Sequence, residues 1–532
     1  MIKAKEVDVV VVGAGFAGIY MLYKLKNLGF TSRVIERGDG VGGTWHWNRY
    51  PGARCDIPSL QYSYQFDDEL QQEWEWEEKY SSQKQILEYA NHVVDRFDLR
   101  NDITFNTEVQ STTYNEEQGR WTVKTSQEEI VCSYCVMATG CLSQVNEPNI
   151  PGIENFKGEL LHTGKWPHSD INFEGKNISI IGTGSSSIQS IPIIAESAKT
   201  LTVFQRTANY SIPSNNGPMD PAEEAEIKSR YKDFREENWQ NGFGIAGLAN
   251  ELLATETPDD EIKETFSEHW DNSGLGFLGA YADLMLDPNA NEIAASFVRD
   301  KIKEIVNDPD TADNLCPDHT IGCKRLCVDT DYYETFNKPN VSLINIKKDP
   351  ILDITENSVT TEKNEFETDM LILATGFDAM TGALTNIDIT GKNGNKLSEV
   401  WANGAKSYLG LGISGFPNLF MVTGPGSPSV LSNMLPSIEQ HVEWIANCLV
   451  WMRDNNKSII ESTESAEEEW MQHVKETSEL TLYTTCNSWY NGSNLEGKSK
   501  TFLPYVGVPP YAEKCEEVSK ENYQGFVFDK SN

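Results

Sequence analysis

The segment VDVVVVGAGFAGIYMLYKLKNLGF, residues 7–30, decides the fold class. Its opening run is rich in valine and predicts a buried strand of a parallel sheet. Gly13, Gly15 and Gly18 follow in the pattern G-x-G-x-x-G, and a helical pattern comes directly after them. Such glycines permit a tight turn, close approach of a pyrophosphate to the backbone, and close packing of helix on strand.

A second predicted strand, SRVIERG at residues 32–38, reaches Glu36 near its end. An acid at this place in a βαβ unit is positioned to bond the ribose hydroxyls of a dinucleotide. The glycine pattern alone would be weak support. Strand, turn, helix and acid in register together predict a dinucleotide-binding unit.

A second unit is predicted from KNISIIGTGSSSIQSIPIIAESA, residues 176–198. Gly182 and Gly184 match the first two glycines, and Ser187 stands at the third position, which serves helix packing more than phosphate contact. The next strand ends without an acid and is followed by Arg206 and Thr207. This arrangement is typical of a site for the 2′-phosphate of NADPH rather than NADH.

Two Ala-Thr-Gly turns, at residues 138–140 and 374–376, each close a hydrophobic strand and return the chain between the two units. An FAD unit followed by an NADPH unit predicts an α/β flavoprotein with two Rossmann-like domains. We expect residues 1–147 and 377–532 to form a discontinuous FAD-binding domain. Residues 148–213 and 320–376 are expected to form the NADP-binding domain, with residues 214–319 as a helical insertion in it.

Composition excludes several partners. The chain has 532 residues and a formal charge of −36, which disfavours binding to nucleic acid and to anionic membrane surfaces. No apolar run reaches the roughly 20 residues that span a bilayer, and the N-terminus has no signal-peptide pattern. We therefore expect a cytoplasmic protein without an obligate protein partner or a metal site.

The ten cysteines are scattered, as expected of reduced thiols in the cytosol. Cys132 and Cys135 have the spacing of a redox pair, but they lead directly into a predicted strand. A reductase dithiol would stand at a helix N-terminus. A structural role is therefore favoured over a dithiol reductase. A nucleotide-binding protein without catalysis is the other non-oxygenating alternative.

Two further motifs carry a family resemblance. FKGELLHTGKWP, residues 156–167, has the pattern FxGxxxHxxxWP, and GGTWHWNRYPGARCD spans residues 42–56. Both resemble the signatures of type I Baeyer–Villiger monooxygenases. The likeness continues through GCKRL, YLGLGISGFPNLF and SWYNGSNLEGK to the C-terminus. The first motif matches at Phe156, Gly158, His162, Trp166 and Pro167.

The resemblance implies a defined reaction. NADPH reduces FAD, reduced flavin and O2 form a C4a-peroxyflavin, and the peroxide attacks a ketone carbonyl. Rearrangement of the adduct inserts one oxygen atom and gives an ester or lactone. The alternative is a flavin-containing monooxygenase that oxidises amines or sulfides, which Trp166-Pro167 and the GGTWHWNRYPG segment disfavour.

The resemblance also implies roles for individual residues. Arg325 of GCKRL is the implied active-site arginine, with Asp56 as the partner that orients it. A guanidinium stays charged at any working pH and can stabilise both a peroxide anion and a developing oxyanion. The motif FxGxxxHxxxWP is implied to act as a linker between the two domains, so His162 is expected to couple them rather than to transfer protons.

Further site residues follow by position from the same resemblance. The FAD contacts are Gly13, Gly15, Phe16, Gly18, Glu36, Thr44, Trp45, His46, Trp47, Asp56, Ile57, Tyr62, Val109 and Met434. The NADP contacts are Arg54, Thr183, Gly184, Ser185, Ser186, Ser187, Gln189, Arg206, Thr207, Lys324, Arg325 and Trp489. The substrate pocket is shaped by Cys141, Ser429, Val430, Leu431 and Met434. Cys141 departs from the polar residue that the resemblance leads us to expect there.

Overall fold

The protein is described by a computed structural model that covers residues 5–247, 251–272, 274–492 and 504–530. The SWYNGSNLEGK segment lies outside the described residues from position 493 on. The strands are β1 (Lys5–Val12), β2 (Ser32–Ile35), β3 (Ile103–Thr104), β4 (Val109–Asn115), β5 (Arg120–Thr125), β6 (Glu129–Met137), β7 (Glu159–His162), β8 (Asn177–Ile181), β9 (Thr200–Gln205), β10 (Ser211–Pro213), β11 (Cys327–Asp329), β12 (Val341–Asn345), β13 (Ile351–Ile354), β14 (Ser358–Thr361), β15 (Glu365–Glu367), β16 (Met370–Leu373), β17 (Asp388–Thr390), β18 (Leu419–Met421), β19 (Lys457–Ser462) and β20 (Phe526–Lys530).

The α-helices alternate with these strands in the manner of an α/β protein. They are α1 (Phe16–Asn27), α2 (Thr44–Trp47), α3 (Asp68–Glu73), α4 (Gln83–Arg96), α5 (Ser185–Ala195), α6 (Pro221–Ser229), α7 (Tyr231–Gln240), α8 (Asp259–Asn272), α9 (Pro288–Ile305), α10 (Pro309–Leu315), α11 (Tyr332–Thr335), α12 (Gly382–Thr385), α13 (Leu397–Val400), α14 (Met434–Asp454), α15 (Glu464–Glu479) and α16 (Val508–Lys520). None of the helices in the described ranges is long and apolar enough to cross a membrane.

The first sheet contains the first glycine turn. Its strand order is β17-β4-β5-β6-β1-β2-β3, with β18 beside β6. β1 is parallel to both β2 and β6, and Val12 lies between Ile35 and Met137. The valine run of β1 is buried because both faces of the sheet are covered, as parallel sheets require. Cys132 and Cys135 are buried within β6, which rules out an accessible redox pair at this position.

The second sheet contains the second glycine turn. Five strands run in the order β12-β9-β8-β16-β7, and every neighbouring pair is parallel. The predicted Rossmann-like architecture, with two dinucleotide-binding units, is therefore confirmed. Residues 214–319 form helices in their described part, and these divide between two cores. Phe266 and Trp270 pack with the second sheet, whereas Tyr231 and Phe234 join the core of the first.

The two Ala-Thr-Gly turns occupy equivalent places in the two sheets. A side chain at Gly13 would lie 2.6 Å from the carbonyl oxygen of Ala138, and one at Gly182 would lie 2.3 Å from that of Ala374. Both glycines have positive φ angles, 103° and 116°. Gly13 and Gly182 are therefore required to be glycine, because an Ala-Thr-Gly segment passes directly over each of them.

Candidate active site

Arg325 and Asp56 form a bidentate ion pair although 269 residues separate them. Nε donates to Oδ2 of Asp56 at 2.8 Å, and Nη2 donates to Oδ1 at 2.7 Å. Nη1 donates to the carbonyl oxygen of Val430 at 2.9 Å. Three contacts on one planar group fix the guanidinium in space. Arg325 stands just before β11, and Asp56 closes the YPGARCD segment.

The Arg325–Asp56 pair is largely shielded from water but is still accessible to a small molecule. Burial alone would lower the pKa of Arg325, but the charge of Asp56 and its hydrogen bonds outweigh burial and raise this pKa above its ordinary value. Both side chains nevertheless remain 22% exposed, so a small molecule can reach them. The phenol oxygen of Tyr490 also accepts a hydrogen bond from the guanidinium of Arg325. Burial raises the pKa of Tyr490 to about 12, an effect that nearby Arg325 opposes.

An apolar cluster lies beside this pair and contains most of the predicted pocket residues. Cys141, Val430 and Leu431 are buried in it, Met434 packs on it, and Ser429 lies beside the Cys141 thiol. Burial raises the pKa of Cys141 to about 11, so the thiol is neutral at ordinary pH. The structure adds residues to this cluster that the sequence motifs did not indicate. They include Phe243, Met285, Met380, Tyr483 and Tyr490.

Only one of these additions had a signal in the sequence. Tyr490 follows directly after Trp489 in the CNSWYNGSN segment, and Trp489 itself packs partly buried on the cluster. Met285 comes from the helical region 214–319, which contains no recognisable motif. That region also borders a cavity of about 280 Å³ beside Asp56, which is lined by Ile57, Leu60, Ile245 and Leu275 among others. The insertion therefore shapes the surroundings of the pair.

The first glycine turn is built to receive an anion. Several long helices begin with a side-chain cap, such as Ser82 for α4 and Asp287 for α9. Helix α1 begins at Gly15 without one, so its first N–H groups stay available to a phosphate. Gly15 also lies close to Gly43. The ring of Phe16 points into an aromatic core with Tyr62 and Tyr64, which leaves its backbone to face the turn.

Glu36 is buried at the end of β2, directly beside the turn. Its two carboxylate oxygens accept from the backbone N–H groups of Ala14 and Gly38 at 2.7 and 2.6 Å. Glu36 therefore follows the second strand of the unit, the position from which an acid bonds ribose hydroxyls in units of this type, and its contact with FAD stays a prediction. Trp45 in α2 donates to the hydroxyl of Tyr62 at 3.1 Å, which joins two further predicted FAD contacts. Val109 is buried at the start of β4.

One group of possible metal donors lies near this turn. In the described ranges, Asp39, His46 and His168 bring their donor atoms within 4.8 Å of one another. Nε2 of buried His46 is 3.2 Å from Asp39, but Nδ1 is 3.5 Å from a guanidinium nitrogen of Arg49. A permanent positive charge at that distance opposes binding of a cation. We therefore assign no metal to this group.

The second glycine turn also lacks a side-chain cap. Helix α5 begins at Gly184, and a side chain there would meet nothing within 4 Å, so the space beside the turn is open. Ser187 is buried and its hydroxyl donates to the carbonyl oxygen of Gly182. In the first turn a side chain at Gly18 would lie 1.8 Å from the equivalent carbonyl oxygen of Gly13. Serine is accommodated in the second turn, where its hydroxyl uses the carbonyl oxygen of Gly182 as a hydrogen-bond acceptor.

Gln189 of α5 connects this helix to the YPGARCD segment. Its Oε1 accepts from the hydroxyl of Tyr50 at 3.0 Å, and its Nε2 donates to the carbonyl oxygen of Arg54 at 3.2 Å. The Arg54 guanidinium pairs with Glu78 at 2.6 Å. The structure thus brings together two predicted NADP contacts, Gln189 and Arg54. The side chain of Arg54 is neutralised here by a carboxylate rather than left free for a phosphate.

Arg206, Thr207 and Lys324 meet at the carboxyl end of the second sheet. The hydroxyl of Thr183 donates to the carbonyl oxygen of Thr207 at 3.0 Å, which anchors the loop after β9 to the glycine turn. Burial lowers the pKa of Lys324, and the positive charge of Arg206 lowers it further. Two cations held close together beside an uncapped helix form a site that is complementary to an anion.

A disulfide joins the Arg325 segment to the Trp489 segment. Cys323, two residues before Arg325, is bonded to Cys486, three residues before Trp489. The expectation that all ten thiols are free is therefore wrong for this pair. The error has a physical cause, because a separation of 163 residues leaves no trace in local sequence. The bond therefore links the segment of the implied catalytic arginine to the segment of a predicted NADP contact.

We expect removal of this disulfide by Cys486→Ser to lower stability. Cross-linking a loop of this length restricts the unfolded chain, and typical losses are about 2–4 kcal/mol. Thermal unfolding should show a lower midpoint for the variant. Dithiothreitol should lower the midpoint of the wild type and leave that of the variant unchanged. Ten free thiols in the unreduced, denatured wild type, instead of eight, would contradict the bond.

His162 lies where the chain crosses twice between the two sheets. Its Nε2 is 3.2 Å from the carbonyl oxygen of Asn146 and 3.3 Å from the hydroxyl of Thr375. Its Nδ1 accepts from the backbone N–H of Gly164 at 3.0 Å, so the proton of the neutral ring is on Nε2. Burial lowers the pKa of His162, which keeps the ring neutral.

The other residues of the FxGxxxHxxxWP motif are structural neighbours of this crossing. Trp166 is buried in the core of the second sheet. A side chain at Gly158 would lie 2.4 Å from the carbonyl oxygen of Asp369, which explains the glycine. Phe156 packs on the cluster that contains Ile181 and Leu373, and Pro167 follows Trp166 directly.

Comparison with known proteins agrees with this geometry. A family described as pyridine nucleotide-disulphide oxidoreductase matches residues 10–238. The chain is 40% identical to a cyclohexanone 1,2-monooxygenase of Acinetobacter sp, over 99% of this chain and 97% of that protein. It is also 40% identical to the phenazine N-monooxygenase PhzNO1 of Lysobacter antibioticus, over 98% of this chain and 96% of that protein.

A solved structure shows the same architecture. The oxidized steroid monooxygenase bound to NADP is 45% identical to this chain, with a TM-score of 0.95 and coverage of 99% of this chain and 100% of that one. Similarity of this extent in sequence and fold includes both glycine turns and the segments that carry Arg325 and Asp56. The chain therefore belongs to the Baeyer–Villiger monooxygenases and is an FAD- and NADPH-dependent enzyme of that family.

Proposed function

We propose that Arg325, held by Asp56, is the charged group that stabilises negative charge during insertion of oxygen next to a ketone carbonyl. The bidentate pair at the edge of the apolar cluster is the observation that carries this proposal. A guanidinium fixed by three contacts does not need to reorganise when charge develops on the ketone oxygen. The carboxylate of Asp56 orients the guanidinium, because each of its two oxygens accepts a hydrogen bond from Arg325.

The residues of the two glycine turns fit the two cofactors. Glu36, Gly13 and Gly15 would hold FAD at the uncapped start of α1, and Gly184, Arg206 and Lys324 would hold NADPH at α5. When bound, flavin reduced by NADPH supplies the activated oxygen. The division into an FAD-binding and an NADP-binding domain, with the boundaries predicted from the sequence, belongs to the same proposal.

The substrate that this pocket favours is a small apolar ketone. Cys141, Met285, Val430 and Leu431 provide hydrophobic walls. The thiol of Cys141 is neutral, so no permanent charge in this wall competes with the guanidinium for the carbonyl oxygen. We further propose that the enzyme acts in the cytoplasm on a ketone and O2 without an obligate protein partner. Its charge of −36 supports the exclusion of nucleic acid.

The test is a product assay with purified holoenzyme, NADPH and O2. A panel of arylacetones, cyclic ketones and linear 2-ketones is analysed by mass spectrometry, with NADPH and H2O2 followed in parallel. A product one oxygen atom heavier than the ketone, with the mass and fragmentation of an ester, is the expected result. Because one relative is named as a phenazine N-monooxygenase, an aromatic N-heterocycle is included. Turnover of the heterocycle alone would favour N-oxygenation and contradict the proposal.

We propose that His162 couples the two cofactor units. His162→Ala removes the contacts to Asn146 and Thr375, so NADPH oxidation should slow several-fold and more of it should end as H2O2. Flavin content should stay unchanged, because the hydrogen bonds of His162 go to Asn146, Gly164 and Thr375, none of which is a predicted FAD contact. His162→Gln, which retains an N–H donor, should recover part of the coupling. His92→Ala, on the exposed face of α4, is the matched control. A His162→Ala enzyme with normal coupling would disprove the role.

A further inference from the structure

Lys347 lies next to the predicted 2′-phosphate site, although no motif includes it. It follows β12, which runs parallel to β9 with Asn345 opposite Gln205. The backbone N–H of Ile346 donates to the carbonyl oxygen of Gln205 at 2.9 Å. The carboxyl ends of parallel strands lie at the same edge of a sheet, so Lys347 leaves β12 where Arg206 and Thr207 leave β9.

The charges at this edge act on one another. Besides burial and Arg206, Lys347 also lowers the pKa of Lys324, while Asp318 opposes the shift. The pKa of His319 is lowered to about 4 by burial, by Lys324 and by Lys347, again against Asp318. Arg206, His319, Lys324 and Lys347 therefore converge on a small region in which Asp318 is the carboxylate that faces them.

The cations of this group are Arg206, Lys324 and Lys347, and the neutral ring of His319 lies among them. In the part of the chain that the structure describes, neither Arg206 nor Lys324 nor Lys347 forms an ion pair. The chain has 80 acidic and 44 basic residues, so most basic side chains have carboxylates available to pair with. A group of neighbouring basic side chains without ion pairs therefore indicates a site for an anion. Nδ1 of His319 also has no hydrogen-bond partner there. Mutual repulsion of such groups is relieved by a multivalent anion.

We propose that Lys347 is a third cation of the 2′-phosphate site and contributes to the preference for NADPH over NADH. This inference rests on the proposed NADPH site and extends it by one specificity-determining residue. Lys347 is exposed and Lys324 is half-buried, so the two lysines would contact the phosphate from its solvent side and from its protein side. A phosphate dianion bound there would be contacted by Arg206 from the loop after β9 and by Lys347 from the loop after β12. Lys324 would contact it from a third loop.

Lys348 provides a matched control for this residue. It is adjacent in sequence, carries the same charge and is exposed. Its ammonium donates to the side-chain oxygen of Asn314 at 2.8 Å, and it is absent from the charges that act on Lys324 and His319. Replacing either lysine by glutamine changes the net charge equally. Any difference between the two variants therefore reports position rather than overall charge.

The experiment compares wild type, Lys347→Gln, Lys347→Arg and Lys348→Gln as holoenzymes. The KM values for NADPH and NADH are measured, together with inhibition by adenosine 2′,5′-bisphosphate and by 5′-AMP. Lys347→Gln should raise the KM for NADPH about fivefold to twentyfold and weaken the bisphosphate to a similar extent. NADH and 5′-AMP should change less than twofold. Lys347→Arg should resemble the wild type, as should Lys348→Gln, and the effect should shrink at high salt.

Other outcomes overturn the proposal in distinguishable ways. Equal changes with NADPH and NADH, or no change in either, would show that Lys347 does not meet the 2′-phosphate. If Lys324→Asn raises the KM for NADPH but not that for NADH, only the role of Lys347 fails. If Lys324→Asn changes the two KM values alike, the location of the 2′-phosphate site is wrong and the inference fails with it. An equal effect of Lys348→Gln would reduce the result to general electrostatic attraction.

Discussion

Arg325→Ala should abolish ester formation while reduction of the flavin by NADPH continues. The variant removes the one guanidinium that Asp56 and Val430 hold beside the apolar cluster. Loss of a preorganised group that stabilises developing negative charge costs about 10²–10³-fold in rate, and loss of a full charge should place this variant at the upper end. Anaerobic stopped-flow absorbance measures flavin reduction, and mass spectrometry of the ketone reaction measures the product.

Two controls separate catalysis from folding. Arg120→Ala removes an arginine that forms an exposed ion pair with Glu6 at 3.1 Å, and it should leave ester formation unchanged. Arg325→Lys keeps the charge but cannot form the bidentate contact with Asp56, so activity should stay far below the wild type. Asp56→Asn should give an intermediate loss because the guanidinium keeps its charge and loses its orientation. Normal ester turnover by Arg325→Ala would end the assignment of this residue.

Lys324→Asn should raise the KM for NADPH by about 10- to 100-fold and change that for NADH little. Hydrogen bonds to charged groups contribute about 1.5–3 kcal/mol each, and a tenfold change in affinity corresponds to 1.4 kcal/mol. Lys324 is half-buried, so water screens its interaction with a phosphate less than that of an exposed lysine. Steady-state kinetics with both cofactors, at fixed ketone and O2, measures the ratio.

The matched control is Lys338→Asn, which removes a lysine that pairs with Glu196 on the same half of the molecule. It should affect neither cofactor. The ratio of the two KM values is the decisive quantity, because a general loss of stability would change both cofactors alike. An equal rise for NADPH and NADH in Lys324→Asn would show that this ammonium does not contact the 2′-phosphate.

The cofactor architecture was predictable because its determinants are local. Val9 to Val12 form a buried strand through their own side chains, and Gly13 is required by the turn that follows immediately. The whole βαβ unit needs about 30 consecutive residues to define it. Arg325 and Asp56 could be named only through motifs, since neither residue has local features that distinguish it from an ordinary surface ion pair.

Contacts between segments that are distant in the chain could not be predicted from the sequence. The cysteine pair 323–486 was expected to be two free thiols, and Met285 and Lys347 carried no motif at all. Each contact depends on which loops reach the same edge of a sheet, and spacing along the chain does not encode that. The helices of residues 214–319 likewise divide between two cores because of their packing partners.

The sequence by itself therefore determined the two dinucleotide units and their order, through short glycine and strand patterns, and it indicated the family of the enzyme through the FxGxxxHxxxWP and GGTWHWNRYPGARCD motifs. Only the tertiary structure decided the bidentate geometry of Arg325, the composition of the apolar pocket and the convergence of basic groups around Lys324. These features arise from contacts between residues far apart in the chain, 269 positions in the case of Arg325 and Asp56, and the free energy of such contacts is realised only when the chain is folded.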